Sequence, residues 1–166
     1  MALLHPTLDV AVLRVDAPTT LTLSSRPPKV GDEIVVVGHP SVAARDEDEA
    51  LSAAFGQGLD GRMHLMPGAC MSAEVRSILG QPMRVVRHDA TTAGGCSGGP
   101  VVALDTGEIL GIHIGGDPGG GPGSSDAENR FHAAADLLAD PHLRAIGVGG
   151  PPRGERPASA PIPGWT

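Results

Sequence analysis

His88-Asp89-Ala90-Thr91-Thr92-Ala93-Gly94-Gly95-Cys96-Ser97-Gly98-Gly99-Pro100 decides how this chain is read. A serine held between Gly94-Gly95 and Gly98-Gly99 lies in backbone that is free to turn tightly. Such a turn projects the hydroxyl and leaves nearby N–H groups outside any helix or strand ladder. Donors gathered in that way stabilise negative charge on a carbonyl oxygen as a tetrahedral intermediate forms. Glycine-rich turns also serve as plain connectors, so the flanking sequence has to carry the distinction.

Downstream, Val101 to Leu104 and Ile109 to Ile114 flank Asp105-Thr106-Gly107, the pattern of two strands joined by a hairpin. Upstream, the apolar run Ile34 to Val37 opens after Val30-Gly31-Asp32 and stops at Gly38-His39-Pro40, which predicts a buried strand. From Leu51 to Val86, short segments separated by Gly56, Gly58, Gly61, Pro67-Gly68 and Gly80 read as further short strands with turns. Leu8 to Val15 is another strand, with Asp9 near its start, and Asp16 to Pro28 is a connector rich in Pro, Thr and Ser. The charged run Ala44 to Ala50 and the glycine-rich run Gly115 to Ser125 predict loops. Apolar residues at Phe131, Ala134, Ala135, Leu138 and Leu143 approach helical spacing and predict a short terminal helix, followed by a Pro- and Gly-rich tail without order. The fold class is all-β.

A chain of 166 residues with 40% hydrophobic content is long enough for one core, and with three aromatics that core must be built from aliphatic side chains. The net charge of −7 and the lack of a Lys/Arg cluster argue against a nucleic-acid partner. No apolar run approaches the length of a membrane span and no export signal is recognisable, so as given the chain is expected to be cytoplasmic and without a membrane partner. Cys70 and Cys96 are too few for a disulfide scaffold and match no metal spacing. Neither a metal nor a cofactor is expected.

Gly95-Cys96-Ser97-Gly98-Gly99-Pro100 resembles the G-x-S-G-G-P nucleophile turn of chymotrypsin-like serine peptidases, and Gly111-Ile112-His113-Ile114-Gly115-Gly116 follows in that family's order. Leu8-Asp9-Val10-Ala11-Val12-Leu13 is similar to the segment that holds the family's triad aspartate. The resemblance spans about Leu8 to Leu143. It implies a second β-barrel of the chymotrypsin type, one remnant strand of the first barrel, a short C-terminal helix and a disordered tail. The expected division is 1–28 for the Asp strand and connector, 29–146 for the barrel with its nucleophile turn, and 147–166 for the tail. It further implies Ser97 as nucleophile, Gly95 and Ser97 amides as oxyanion hole, Asp9 as the group that orients a base, and a polypeptide substrate that needs no cofactor. Thr92 and His113 occupy positions similar to the carboxylate-binding residues of bacterial glutamyl endopeptidases, which implies a preference for an acid before the scissile bond. Cys96 departs from the Asp or Asn common before the serine.

The family's base histidine precedes the aspartate, and none of His5, His39, His64, His88, His113, His132 and His142 matches it. His5 is four residues from Asp9, with no family reason to reach Ser97. Loss of the base costs on the order of 10⁶ in rate, so the isolated chain is expected to be nearly inactive. The expectation is of an N-terminally truncated chain, completed by a missing first-barrel segment or a partner chain. The competing class is a non-catalytic binding module or pseudoprotease fragment on the same fold.

Overall fold

The computed structural model describes residues 2–13, 15, 20–41, 55, 62–78, 81–117 and 128–148. Strands β1 (Ala2–Leu4) and β2 (Ala11–Leu13) form an antiparallel hairpin with Leu3 opposite Val12. Six more strands follow: β3 (Glu33–Gly38), β4 (His64–Ile78), β5 (Gln81–His88), β6 (Pro100–Ala103), β7 (Ile109–Asp117) and β8 (Glu128–Ala133). They close in the order β3-β4-β5-β8-β7-β6, every pair antiparallel. Two short helices, α1 (Ala134–Ala139) and α2 (Pro141–Ala145), run out of β8.

Alternation in β3 shows why the barrel closes: Ile34, Val36 and Gly38 are buried while Val35 and Val37 are half-buried. Because successive side chains point to opposite faces, a period of two delivers one face of each strand to the interior. There Ile34 and Val36 meet Met66, Cys70, Val86, Val101, Leu110 and Phe131. Phe131 is fully buried and has the largest side chain among the residues that are. An aliphatic barrel this poor in aromatics is completed by two cysteines, both free and buried.

Several expectations are corrected. The N-terminal part is a two-stranded hairpin, not one remnant strand, and Asp9 lies on the bend between β1 and β2. Pro67-Gly68 is no turn but part of the continuous strand β4. Pro67 is tolerated because β4 pairs there with β3 on one side, its ladder to β5 beginning only at Cys70. Gly68 leaves room for Ala90, whose amide nitrogen would stand 2.5 Å from an added Cβ. Gly115 to Asp117 continue β7 past a bulge between His113 and Gly115, so only residues 118–125 of the predicted loop remain, outside the described residues.

Phe131 belongs to β8, and the predicted helix is two helices. The break falls at Asp140, held extended because the following Pro141 excludes the helical region for its predecessor. Asp140 then caps α2, its carboxylate accepting from the amides of His142 and Leu143. The acidic run 44–50, most of 51–61 and the tail from 149 lie outside the described residues.

Candidate active site

The turn before β6 is anchored from beneath. Cys96 is fully buried, its Sγ 3.7 Å from Met66 Sδ, and it packs 3.2 Å from where a Gly38 Cβ would stand. Backbone bonds fix the rest: Cys96 N–H donates to Ala93 O, Gly98 N–H to His113 O at 2.7 Å, Gly99 N–H to Cys96 O, and His113 N–H to Gly99 O. Gly95 has φ +90°, and a Cβ there would meet His39 O at 2.5 Å, so only glycine fits. Ser97 is left exposed at the crest. Among the described residues the N–H groups of Gly95 and Ser97 donate to nothing, whereas those of Cys96, Gly98 and Gly99 are committed.

Asp9 is carried to the same side of the barrel by a turn that His5 organises. His5 Nδ1 accepts from Thr7 N–H at 3.2 Å and Leu8 N–H at 2.9 Å, so the ring proton sits on Nε2, which donates to Asp140 Oδ1 at 3.1 Å. Burial disfavours the charge on Asp140, but hydrogen bonds from Leu143 N–H, His5 and His142 N–H outweigh it and hold the carboxyl below its ordinary value. Asp9 itself is exposed and forms no hydrogen bond among the described residues. It lines a cleft of about 170 Å³ with Ile114, Gly115, Gly116 and Arg130. The Ser97 Oγ lies 3.5 Å from where a Cβ on Gly115, one of those lining residues, would stand, although Ser97 itself does not line the cleft.

Thr92 and His113 sit deeper and are already engaged. Thr92 Oγ1 donates to Asn129 Oδ1 at 2.7 Å, and Asn129 Nδ2 donates to Ala90 O at 2.8 Å. His113 is buried and its Nδ1 lies 3.1 Å from His88 Nε2. A backbone bond to Arg130 joins the His113 ring to the barrel wall, and because a carbonyl only accepts, the ring proton belongs to that bond. His113 Nδ1 then accepts from His88 Nε2–H. Burial lowers the His113 value, opposed by the Arg130 bond. Burial and, second, the neighbouring His113 push His88 down to about 4. Both rings are neutral at pH 7.

Of the sequence-derived residues, Asp9 lines the cleft, Ser97 approaches its lining residue Gly115, Gly95 shares the Ser97 turn, Thr92 is bound to Asn129 and His113 is buried against His88. No histidine lines the cleft. His5 points to Asp140, His64 packs on Phe55, His88 and His113 pair, His132 is buried in the wall within electrostatic reach of Asp9, His142 meets His5 edge to face, and His39 follows the end of β3. Asn129, the partner of Thr92, and His88, the partner of His113, escape sequence reasoning. Thr92 and Asn129 are 37 residues apart, and only the pairing of β8 with both β5 and β7 brings them together. Among the described residues no group of three or more His, Cys, Asp or Glu is placed to hold a metal ion, and no helix is long and apolar enough to cross a membrane.

A closed antiparallel barrel that presents an exposed serine on a glycine turn is a feature of serine-peptidase domains. The family model of the trypsin-like peptidase domain matches residues 2–112, and the chain belongs to that family. No curated protein matches it in sequence. Among solved structures it is similar to the Rv3671c protease of M. tuberculosis in its active form, at 24% identity over 81% of this chain and 53% of that chain, with a TM-score of 0.59. The MamO protease domain of Magnetospirillum magneticum is similar at 18% identity over 84% of this chain and 65% of that one, TM-score 0.56. The HtrA-type protease AlgW is similar at 23% identity over 87% and 42%, TM-score 0.57. The chain thus spans less than two thirds of the length of each of these structures, and the likeness is one of fold.

Proposed function

We propose that this chain is the nucleophile-bearing portion of a serine endopeptidase that cleaves peptide bonds through an acyl-enzyme at Ser97. One observation carries the reading: the unengaged amides of Gly95 and Ser97 lie beside an exposed hydroxyl on a turn that the Cys96, Gly98 and Gly99 amides hold in place. An unsatisfied donor pair next to a nucleophile is what an oxyanion requires. In this reading residues 1–28 supply Asp9 and the connector, and 29–146 supply the barrel, the turn and the substrate wall. AlgW was solved with a tripeptide and with a decapeptide, which supports a polypeptide as the ligand class.

Ser97 Oγ attacks the scissile carbonyl while a base removes its proton, and the charge on the carbonyl oxygen is met by the two amides. Asp9 orients the base, an imidazole, and stabilises its cation. None of the chain's own histidines lines the cleft, so the isolated chain retains only the oxyanion contribution, about 10³ to 10⁴ over water. The base would come from a first-barrel segment or a partner chain. An acid before the scissile bond is the proposed preference, read by the Thr92 hydroxyl with the Asn129 amide beside it. Because that hydroxyl already donates to Asn129 and His113 is neutral and buried, the preference is modest, on the order of tenfold.

An activated ester applied at pH 9 to 10, where hydroxide replaces the base, tests the assignment. Mass spectrometry is expected to find a single acyl group on Ser97, absent in Ser97→Ala. Acylation elsewhere, or none, refutes the peptidase reading and leaves a protease-fold binding module.

A further inference from the structure

A second cavity, of about 180 Å³, lies between the turn after β1, the start of β5, the end of β8 and α1. Its apolar wall is Leu8, Met83, Ala133 and Leu137. The polar groups around it are acceptors in search of donors. His132 is 3% exposed, and its Nε2 is buried without a hydrogen-bond partner among the described residues. The bond the ring does make is to the Arg84 backbone, where a carbonyl only accepts, so Nδ1 carries the proton and Nε2 keeps a lone pair. Burial lowers the His132 value, and Asp9, the Arg84 bond and Asp136 oppose this without reversing it, so the ring is neutral at pH 7. Asp136 Oδ2 is likewise buried and unpartnered, although that side chain as a whole is 42% exposed. Its Oδ1 takes Arg84 Nη1 at 3.3 Å, which commits the cavity's one guanidinium. Asp140 receives His5 Nε2 and the amides of His142 and Leu143 all on Oδ1, and its Oδ2 stays unengaged among the described residues.

An unpaired buried acceptor is costly, so these groups call for a ligand that donates. Two carboxylates against one guanidinium leave the cavity negative. An ammonium carries a positive charge and three donors with no acceptor, one donor for each of His132 Nε2, Asp136 Oδ2 and Asp140 Oδ2. A metal ion does not suit the same residues, since among the described residues no three His, Cys, Asp or Glu are placed to hold one. Apolar cavities of about 150 Å³ take up a benzene ring, so this one has room for an apolar stem of that size behind the charge.

We infer that this cavity binds an ammonium group on a short apolar stem, and that the bound cation steadies the turn that carries Asp9. The second half follows from the lining: Leu8 and Asp140 both border the cavity, and His5 joins them, accepting from Leu8 N–H and donating to Asp140. The inference is independent of the peptidase reading, because it uses neither Ser97 nor the Gly95 amide and its test needs no turnover.

The experiment titrates the full chain at pH 7.5 with benzylamine and follows backbone amides by NMR. Saturable shifts at Leu8, Met83, Ala133 and Leu137 are expected, half-complete on the order of 10⁻⁴ to 10⁻³ M for a ligand this small. Phenylacetate, with the same ring and the opposite charge, should cause none. Affinity should fall at least about tenfold in Asp136→Asn, which keeps the shape of the side chain, and in His132→Phe, with far-UV spectra confirming that both fold. At saturation, hydrogen exchange at the Thr7 and Leu8 amides should slow by about tenfold. A parallel titration with N-acetyl-lysine methylamide identifies the source: tighter binding than benzylamine marks a peptide lysine, weaker binding a free amine, and either supports the site. Equal binding of phenylacetate, shifts that never saturate, or affinity unchanged in the folded Asp136→Asn overturns the site. Binding without slower exchange at Thr7 and Leu8 overturns the link to Asp9. Acylation of Ser97 stands or falls separately from every one of these results.

Discussion

Lowering the pH should loosen this barrel well before its carboxylates titrate, because burial lowers His88, His113 and His132 alike, His88 the furthest. The ring is 2% exposed, and its one hydrogen bond is to His113; Nδ1 is buried without a partner. Protonation would place a cation in an apolar barrel against a second imidazole, so burial and then His113 hold the value at about 4, against an ordinary 6.5. A lowered histidine value means the unfolded chain binds the proton first. Stability from this group is therefore complete above about pH 6.5 and is lost as pH falls towards 4. At about 1.36 kcal/mol per pKa unit the full loss is roughly 3 kcal/mol, of which about 2 is gone by pH 5. Asp32 and Asp140, both held below the ordinary 3.8, lose their contributions only as pH falls below that value, so the two windows separate. Urea unfolding followed by far-UV circular dichroism from pH 7.5 to 4.5 should show the decline. In His88→Leu, which keeps an apolar filling in contact with Phe131 and His113, the slope over this range should flatten by about that amount. An unchanged slope in His88→Leu would refute the assignment.

Gly95→Ala forces a left-handed residue to carry a Cβ against His39 O, which should cost about 1 to 3 kcal/mol of stability and displace the turn; acyl transfer to Ser97 should drop by at least about tenfold, measured by the ester assay with folding checked by thermal melting. Asp140→Ala removes the cap of α2 and the acceptor for His5 together. A loss of about 1 to 2 kcal/mol in urea unfolding is expected, with faster hydrogen exchange at the Thr7 and Leu8 amides; unchanged exchange there would show that His5 holds its turn without Asp140.

The Ser97 turn was legible as a turn because the glycines on both sides of the serine mark it locally, although bonds to His113 on β7 fix it in place. Gly95, Ser97 and Gly98 set their own dihedral angles, and the Cys96 side chain fills the space beneath them. Strand β3 and the hairpin of β6 with β7 were legible for a similar reason, since alternation and a D-x-G turn act within a few residues. What escaped was non-local or ambiguous. Pro67-Gly68 carries the local chemistry of a turn, and its place within β4 is decided by Ala90 and by the absence of a β5 partner opposite Pro67. Phe131 fits a helical spacing with Ala134, Ala135 and Leu138, but pairing opposite Val86 and His113 makes it a strand residue. Asn129 and His88 bear no local mark at all, because their roles arise from register.

Positioning of Asp9 ties these observations together. The Ser97 turn is locked into the barrel by bonds to β7 and by Cys96, so it keeps its shape whatever happens at the N-terminal hairpin. Asp9 has no such anchorage of its own. It stays on the barrel's open side because His5, four residues earlier, collects two amides of the turn with one nitrogen and reaches the cap of a helix 135 residues away with the other. The contact His5 makes is thus to the scaffold beneath Asp9 and not to Ser97. A histidine engaged through both nitrogens has no lone pair left for a serine proton, so the residue closest in sequence to Asp9 is excluded as the base by the same bonds that make it the support of the aspartate.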